Sequence, residues 1–313
     1  MTPLRRFAIV LLALSLVLLA GACSGGDDDL AGVGDTIIKL SEVEALYEED
    51  QPIDDGFRDT LFAKIALEAL TQALASQFGA TVDPAAVEQY FTQFQSSLAQ
   101  SGVSPAELLG VENASLELVH FNAEVVALRD AALELLVVAP ATVDRLFADP
   151  LTMTRVCAKH ILVETLGEAQ AVQARLAAGE DFATVAGEVS LDTQSEGGDL
   201  GCTLAGDYVA EFAQAAAEAP LGEVTGPVES EFGFHLILVS ERTTPTRIEY
   251  LADPSAVLSS AQATVIWGDW ISAVLEAADI WVAEEYGTWT LDGIQAPGAE
   301  TTTTTTATTT TGG

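Results

Sequence analysis

The segment from residue 151 to residue 243 constrains the fold most, because its pattern differs from that on either side of it. Strand-like runs at 157–163 and 234–239 lie near its two ends, and helical stretches and a glycine-rich loop lie between them. Strands at both ends with helices between them are typical of an α+β domain. The sequence therefore predicts an α+β module at 151–243.

The flanks of this module carry apolar residues at helical spacing. The N-terminal flank, 36–150, contains long helical runs such as 57–78, and the C-terminal flank, 244–296, contains another at 255–277. The C-terminal flank also holds all four tryptophans of the chain, which would be unfavourable in water. We therefore expect 244–296 to pack on 36–150, so that both flanks build one all-α domain with the module inserted in it.

The first residues resemble a bacterial lipoprotein signal. Two arginines precede an apolar stretch of 14 residues at 7–20, which is too short to span a bilayer comfortably. Small residues then lead to Cys23, as in a lipobox, where the thiol receives a diacylglycerol. This predicts a signal peptide at 1–22, lipidation of Cys23 and a location on the outer face of a bacterial cell membrane. The alternatives, a secretory signal or an uncleaved anchor, also place the rest of the chain outside the cytoplasm.

Composition predicts flexible ends and excludes one class of partner. Residues 23–35 are rich in glycine and aspartate, which is typical of a flexible acidic tether, and the threonine-rich stretch at 297–313 predicts a disordered tail. The formal net charge is −35, from 47 acidic and 12 basic residues. Such a surface repels polyanions, so we expect no nucleic-acid partner.

Seven short motifs follow one another inside the α+β module. They are AKHILV at 158–163, GEDFATVA at 179–186, SLD at 190–192, GGDLG at 197–201, YVAEF at 208–212, GPVES at 226–230 and FGFHLI at 232–237. In identity, order and spacing they resemble the parvulin-type (PpiC-like) family of peptidyl-prolyl cis–trans isomerases. The resemblance implies a four-stranded antiparallel sheet with surrounding helices.

The resemblance also implies the catalytic residues. His160 and His235 would lie side by side on neighbouring central strands, and Ser230 would complete their hydrogen-bonded group. Asp192 matches a position held by cysteine or aspartate. Rotation of an X-Pro bond must break amide resonance, a barrier of about 18–20 kcal/mol, and a site can favour the twisted amide without forming a covalent bond. We expect Asp192 to lie near the carbonyl that loses negative charge on twisting.

The substrate pocket and the class of substrate follow from the same resemblance. Leu200, Tyr208 and Phe212 match the pocket that holds the proline ring, although methionine is usual where Tyr208 stands. Parvulins directed at phosphoserine carry a basic cluster just after the first strand, whereas 164–168 contains no basic residue. A phosphate would lack its charge partner there. The predicted substrates are therefore unphosphorylated X-Pro segments of unfolded exported proteins.

The cysteines and histidines of the mature chain predict no metal site, because they lack ligand spacing, and we expect no cofactor. On the parvulin fold Cys157 and Cys202 come near each other, which predicts a disulfide. The alternative is two unrelated buried thiols.

The order of the predicted domains resembles that of PrsA- and SurA-type foldases, in which a helical domain surrounds a parvulin insert. The sequence therefore predicts an isomerase that is also a folding chaperone for exported proteins. The alternative is a holdase chaperone with an inactive parvulin domain. A structural envelope lipoprotein is a more distant alternative.

Overall fold

The structure, a computed structural model, describes residues 28–49 and 52–298. The predicted signal peptide, the predicted lipidation of Cys23 and the threonine run lie outside these residues. Within the described residues, none of the helices combines the length and the apolar character needed to cross a membrane.

The chain forms two flanks and a central module, as follows. The N-terminal flank contains β1 (Asp29–Val33), β2 (Thr36–Lys39), α1 (Leu40–Glu44), α2 (Asp55–Phe78), α3 (Pro84–Ser101), α4 (Pro105–Leu109), α5 (Leu116–Leu136), α6 (Pro140–Leu146) and α7 (Pro150–Met153). The module contains β3 (Arg155–Val163), α8 (Leu166–Ala177), α9 (Phe182–Val189), β4 (Asp199–Leu204), α10 (Ala210–Glu218), β5 (Val224–Ser230) and β6 (Gly233–Thr243). The C-terminal flank contains α11 (Arg247–Ala252), α12 (Ser260–Ala277), β7 (Ile280–Val282), β8 (Thr288–Thr290) and β9 (Gly293–Gln295).

Helix α2 shows why the long helices of the flank begin and end where they do. The carboxylate of Asp54 accepts a hydrogen bond from the backbone N–H of Phe57 at 3.0 Å, which satisfies a donor that the first turn leaves free. Gly79 ends the helix in the left-handed conformation, at φ 65°, where a side chain would be strained. The sequence predicts both boundaries.

Side chains from the C-terminal flank complete the core of the N-terminal flank. The indole N–H of Trp270 on α12 donates to the side-chain oxygen of Gln77 on α2 at 2.9 Å. Trp289 on β8 stacks on Phe62 of α2, with the ring centroids 4.9 Å apart. Because these contacts join chain segments that lie about 200 residues apart, the two flanks form one packed domain around the module.

This domain is not all-α, so part of the prediction is wrong. Strand β1 lies between β2 and β7 in a three-stranded antiparallel sheet, and β8 pairs with β9. The C-terminal flank is therefore helical only as far as Ala277. The prediction of a tether at 23–35 is wrong for Asp29–Val33, which form β1, with Leu30 and Ala31 fully buried. At Gly32 of β1 a Cβ would lie 2.2 Å from Nε1 of Trp281, so glycine lets the indole pack on the strand.

The module contains the predicted four-stranded antiparallel sheet, in the order β4-β3-β6-β5, which confirms the α+β class. Successive residues of a strand point to opposite faces. One face of β3 and β6, which carries Ala158 and Ile237, packs against Phe212 of α10. The other face, which carries Ile161 and Leu236, packs against α8 and α9. The sheet is therefore covered on both faces, and the side chains discussed next lie on the face covered by α10.

Candidate active site

The two histidines meet because strands β3 and β6 lie side by side in antiparallel register. His235 is opposite Leu162 and His160 is opposite Ile237, so the histidines are diagonal neighbours on one face, within reach of each other. Their Nδ1 atoms are 3.3 Å apart and their rings are stacked, with an interplanar angle of 20°. Both side chains are buried, at 7% and 4% exposure. A buried imidazole needs hydrogen-bond partners, and each supplies one to the other.

Asp192 reaches His160 from the loop that follows α9. Its Oδ2 lies 2.8 Å from Nε2 of His160 and accepts a hydrogen bond from the hydroxyl of Ser195 at 2.6 Å. The backbone N–H of Gln194 donates to Oδ1 at 3.0 Å. The hydrogen bonds from Ser195 and His160 lower the pKa of Asp192 to about 2. Asp192 is therefore an anion throughout the range in which proteins function.

Ser230 reaches His235 from the end of β5. Its Oγ lies 2.7 Å from Nε2 of His235 and accepts the backbone N–H of Phe232 at 3.2 Å. The turn from β5 to β6 is tight, since Gly233 has φ +130° and a Cβ there would lie 2.4 Å from the carbonyl oxygen of Val163. Only glycine fits at such a position. The turn thus fixes Ser230 under the imidazole.

The anionic state of Asp192 sets the direction of its own hydrogen bonds. The carboxylate only accepts, so Nε2–H of His160 donates to it, and in the neutral tautomer Nδ1 of His160 is an acceptor. Nδ1–H of His235 then donates to His160, and Nε2 of His235 accepts from the hydroxyl of Ser230. The backbone N–H of Phe232 donates to the hydroxyl oxygen of Ser230. All donors and acceptors are matched with two neutral imidazoles, which makes the group a rigid, oriented chain.

The stability of the module should depend on pH through His235. Burial, and then the neighbouring His160, lower the pKa of His235 to about 4, from its usual value of 6.5. Between these values the unfolded chain binds a proton that the folded module does not, so stability is lost as the pH falls through this window. We expect this histidine to lower the free energy of unfolding of the module by about 3 kcal/mol between pH 7 and pH 4.

The variant His235→Gln isolates this contribution, because glutamine does not titrate. Urea unfolding at pH 4 to 7, followed by hydrogen exchange in β3 and β6, should show a shallower loss of stability in the variant. Equal slopes in the two proteins would show that His235 is not held neutral by the fold.

An apolar cavity of about 320 Å³ lies above this chain. The predicted proline-binding residues Leu200, Tyr208 and Phe212 form part of its wall. Phe212 presents its edge to both histidine rings, with centroids 5.8 Å from His160 and 5.4 Å from His235. Burial, and then the nearby acidic groups, raise the pKa of Tyr208. Its ring packs on Phe212 at 4.6 Å, and its hydroxyl finds no partner within the part of the chain that the structure describes.

Six of the seven predicted catalytic and substrate-binding residues line this cavity. The seventh, Ser230, hydrogen-bonds to His235, which is one of the lining residues. Two residues of the site were not predicted: Ser195, which anchors Asp192, and Phe232, which lines the cavity. The spacing of three residues between Asp192 and Ser195 could have indicated Ser195, because side chains at that spacing can form a hydrogen bond within one turn. Phe232 begins the motif FGFHLI, but nothing in the sequence gave it a role in the cavity.

Cys157 and Cys202 are register partners on the adjacent strands β3 and β4, with Cα atoms 4.0 Å apart. Their sulfur atoms are bonded in the structure. The pair lies at the edge of the sheet and outside the cavity lining.

Comparison with known proteins agrees with this geometry. The family "Rotamase: PPIC-type PPIASE domain" matches residues 159–241. The foldase protein PrsA of Halalkalibacterium halodurans is 29% identical over 252 residues, or 76% of this chain and 74% of that protein. The foldase protein PrsA of Clostridium kluyveri is 49% identical over 82 residues, so this chain spans only 24% of that relative.

Solved structures are similar in the same region. The parvulin NmPin of Nitrosopumilus maritimus is 38% identical, covering 28% of this chain and 97% of that one, with a TM-score of 0.27. The peptidylprolyl isomerase PrsA of Bacillus cereus is 19% identical, covering 83% of this chain and 95% of that one, with a TM-score of 0.41. Residues 159–241 are thus a PpiC-type peptidyl-prolyl isomerase domain, and the chain is a homologue of the PrsA foldases.

Proposed function

We propose that this protein catalyses cis–trans isomerisation of X-Pro bonds in unfolded exported proteins and also acts on them as a folding chaperone. The observation that carries the proposal is the hydrogen-bonded chain from Ser230 through the two histidines to Asp192 on the floor of an apolar cavity. The hydroxyl of Ser230 does not line the cavity. Rotation about an amide bond needs no nucleophile, so the group suits orientation and electrostatics.

The geometry suggests how rotation is favoured. Leu200, Tyr208 and Phe212 hold the proline ring, and the preceding carbonyl lies near Asp192. A planar amide carries partial negative charge on its oxygen, which the fixed carboxylate disfavours, and twisting removes that charge. The histidines and Ser195 keep Asp192 ionised and in place. No bond is made or broken in this mechanism, and the only change is the rotation.

The electrostatics of the cavity support unphosphorylated substrates. The charged side chains known to line the cavity, Asp192 and Asp207, are both acidic. After β3, where a phosphate-binding parvulin has basic residues, Thr165 caps α8 with the help of Glu168. A phosphate group would therefore meet like charge, which costs binding energy.

A pair of peptides tests this proposal. The wild-type protein should accelerate isomerisation of a Ser-Pro peptide, and phosphorylation of that serine should lower kcat/KM by about tenfold or more, which corresponds to at least about 1.4 kcal/mol. Exchange NMR measures both rates under one condition. A faster reaction of the phosphorylated peptide would contradict the assigned substrate class, and no acceleration of either would contradict the isomerase activity.

The flanking domain supports the chaperone part of the proposal. A cavity of about 550 Å³ lies between α2, α5 and α12. Phe62, Leu67, Trp267 and Leu291 contribute partly exposed apolar side chains to its wall, and such a surface can hold apolar segments of an unfolded chain. Suppression of the aggregation of a denatured client, measured by light scattering, is the expected result. Unchanged aggregation at equimolar protein would contradict the chaperone role.

We place the protein on the outer face of a bacterial cell membrane, held by lipid on Cys23. The support is the signal-like pattern of the first residues and the similarity to PrsA proteins. Replacement of Cys23 by serine should release the protein from the membrane fraction. Retention of that variant in the fraction would contradict lipid anchoring.

We also propose that Cys157 and Cys202 form a disulfide in the exported protein. Their register across β3 and β4 supports it, and exported proteins meet oxidising conditions. The bond closes a loop with a sequence separation of 45 residues, so reduction should lower the stability of the module by about 2–4 kcal/mol. Mass spectrometry after thiol alkylation checks the bond: two alkylated cysteines in the unreduced module would contradict it.

A further inference from the structure

Helix α7 connects the flanking domain to the module through two of its side chains. Met153 is buried in the core of the flanking domain. Leu151, two residues earlier, packs instead against the cluster of the module that contains Phe212. One short helix therefore contributes to the packing of both domains. It also lies before residues 159–241, the part of the chain that matches the isomerase family.

The flanking domain fixes the backbone of α7 at two points. The carboxylate of Asp149, just before the helix, accepts a hydrogen bond from the N–H of Leu151 at 2.9 Å. The side-chain amide of Gln262 on α12 donates to the carbonyl oxygen of Thr152 at 2.9 Å, which satisfies an acceptor that a helix end leaves free. Together with the burial of Met153, these bonds set the position of Leu151 relative to the flanking domain.

Helix α7 in turn supports a segment that leads to the proline pocket. The N–H of Ala205, a fully buried residue, donates to the carbonyl oxygen of Thr154 at the end of α7, at 2.7 Å. Gly206 lies against α7, since a Cβ there would be 3.6 Å from the carbonyl oxygen of Leu151. Ala205 and Gly206 belong to the 3₁₀ turn immediately before Tyr208. Tyr208 is thus attached to a turn that rests on α7.

Tyr208 connects this turn to the active site. Its N–H donates to the carbonyl oxygen of Ala205 at 3.2 Å, and its side chain forms part of the cavity wall. Tyr208 and Leu200 are both partly buried, and both pack against the same cluster of the module as Leu151. Side chains in a packed cluster hold one another in place, and removal of one leaves space into which the others can move. Loss of the Leu151 side chain should therefore loosen this wall of the proline pocket.

We infer that Leu151 is a positioning residue of the isomerase. It does not line the cavity, so it acts through the 3₁₀ turn and Tyr208 rather than on the substrate. The flanking domain then shapes the proline pocket of the module, and α7 couples the two domains. This role rests on the proposed isomerase activity and adds to it a residue that lies outside the family match.

The variant Leu151→Ala tests this role, because it removes most of the packing side chain and leaves every group that lines the cavity unchanged. We expect the KM for a short X-Pro peptide to rise about threefold or more with kcat nearly unchanged, because the proline pocket holds the ground state and the transition state alike. Leu151→Met conserves the volume and should keep the KM within about 1.5-fold of the wild-type value. Leu151→Val removes less than alanine does and should raise the KM about twofold.

Leu166→Ala is the matched control, because Leu166 is an exposed leucine in the first turn of α8 that does not line the cavity. Hydrogen exchange supplies a readout that needs no turnover. In Leu151→Ala the amides of Ala205 and Tyr208 should exchange at least about fivefold faster, whereas those of β3 and β6 should be unchanged. If the alanine variant does not fold, the valine and methionine variants decide the result by the same two readouts.

An unchanged KM in Leu151→Ala would overturn the positioning role and leave the isomerase proposal intact. A fall in kcat that follows a loss of folded protein, with the KM unchanged, would also overturn it, because that result indicates a merely structural residue. So would a KM in Leu151→Met as high as in Leu151→Ala. If the wild type accelerates no peptide, the isomerase proposal fails, and dissociation constants from fluorescence anisotropy decide the role of Leu151. Weaker peptide binding in Leu151→Ala supports the role, and equal or absent binding overturns it.

Discussion

Replacing Asp192 by asparagine is expected to lower kcat/KM for a short X-Pro peptide by about 100-fold, or about 2.7 kcal/mol of transition-state stabilisation. Asparagine has the same shape, and its one oxygen can still accept from His160 and Ser195, whereas its NH2 group replaces the acceptor of the Gln194 N–H. What it loses is the fixed negative charge beside the substrate carbonyl. The loss should therefore appear mainly in kcat and much less in KM.

The measurement is the rate of cis–trans exchange by NMR at equal enzyme concentrations, with the fold checked by hydrogen exchange in β3 and β6. Glu211→Gln is the matched control, because Glu211 is an exposed acidic residue of α10 that does not line the cavity. It removes the same unit of charge from the module. If Asp192→Asn kept more than half of the wild-type kcat/KM, Asp192 would not have the electrostatic role given to it.

Replacing Trp270 by alanine is expected to destabilise the flanking domain by about 3–5 kcal/mol, because the change removes a large side chain from the core and leaves a cavity. Trp270 is 7% exposed, contacts Phe78 and hydrogen-bonds Gln77. These contacts join the last long helix, α12, to the first, α2. The parvulin module has its own two cores on either side of its sheet, so its isomerase activity on a short peptide should remain.

Hydrogen exchange at increasing urea concentration separates the two effects. Peptides from α2 and α12 should lose protection at a lower urea concentration in the variant, whereas peptides from β3 and β6 should be unchanged. Val265→Ala, on the same helix but 57% exposed, should change neither. A parallel loss of protection in the module would show that the flanks and the module unfold as one unit.

The module could be predicted from the sequence because its signals are local and numerous. The alternation of strand residues already places His160 and Leu162 on one face, and the glycines at the turns fix the backbone where it must be tight. The pairing of His160 with His235 could be expected only through the resemblance to parvulins. The distances between them follow from the register of β3 with β6, which the sequence alone does not state.

The strand pairing of the flanking sheet could not be predicted, because its strands are short and distant in the chain. Ala31 on β1 is opposite Val282 on β7. A local sequence pattern cannot predict that two strands so far apart in the chain pair with each other. The aspartates and glycines around β1 also resemble a linker in composition. In the same way, Phe232 joins the cavity only because the turn between β5 and β6 projects it there.

The most direct test of the central claim compares three proteins on one peptide. Catalytic amounts of the wild-type protein, His160→Ala and His235→Ala are added to a short peptide with one X-Pro bond, and the exchange rate is measured by NMR. Acceleration by the wild type, with most of it lost in both variants while the module stays folded, is the expected result. An uncatalysed rate in the wild type, or full activity in either variant, would contradict the assignment of the hydrogen-bonded chain as the catalytic centre.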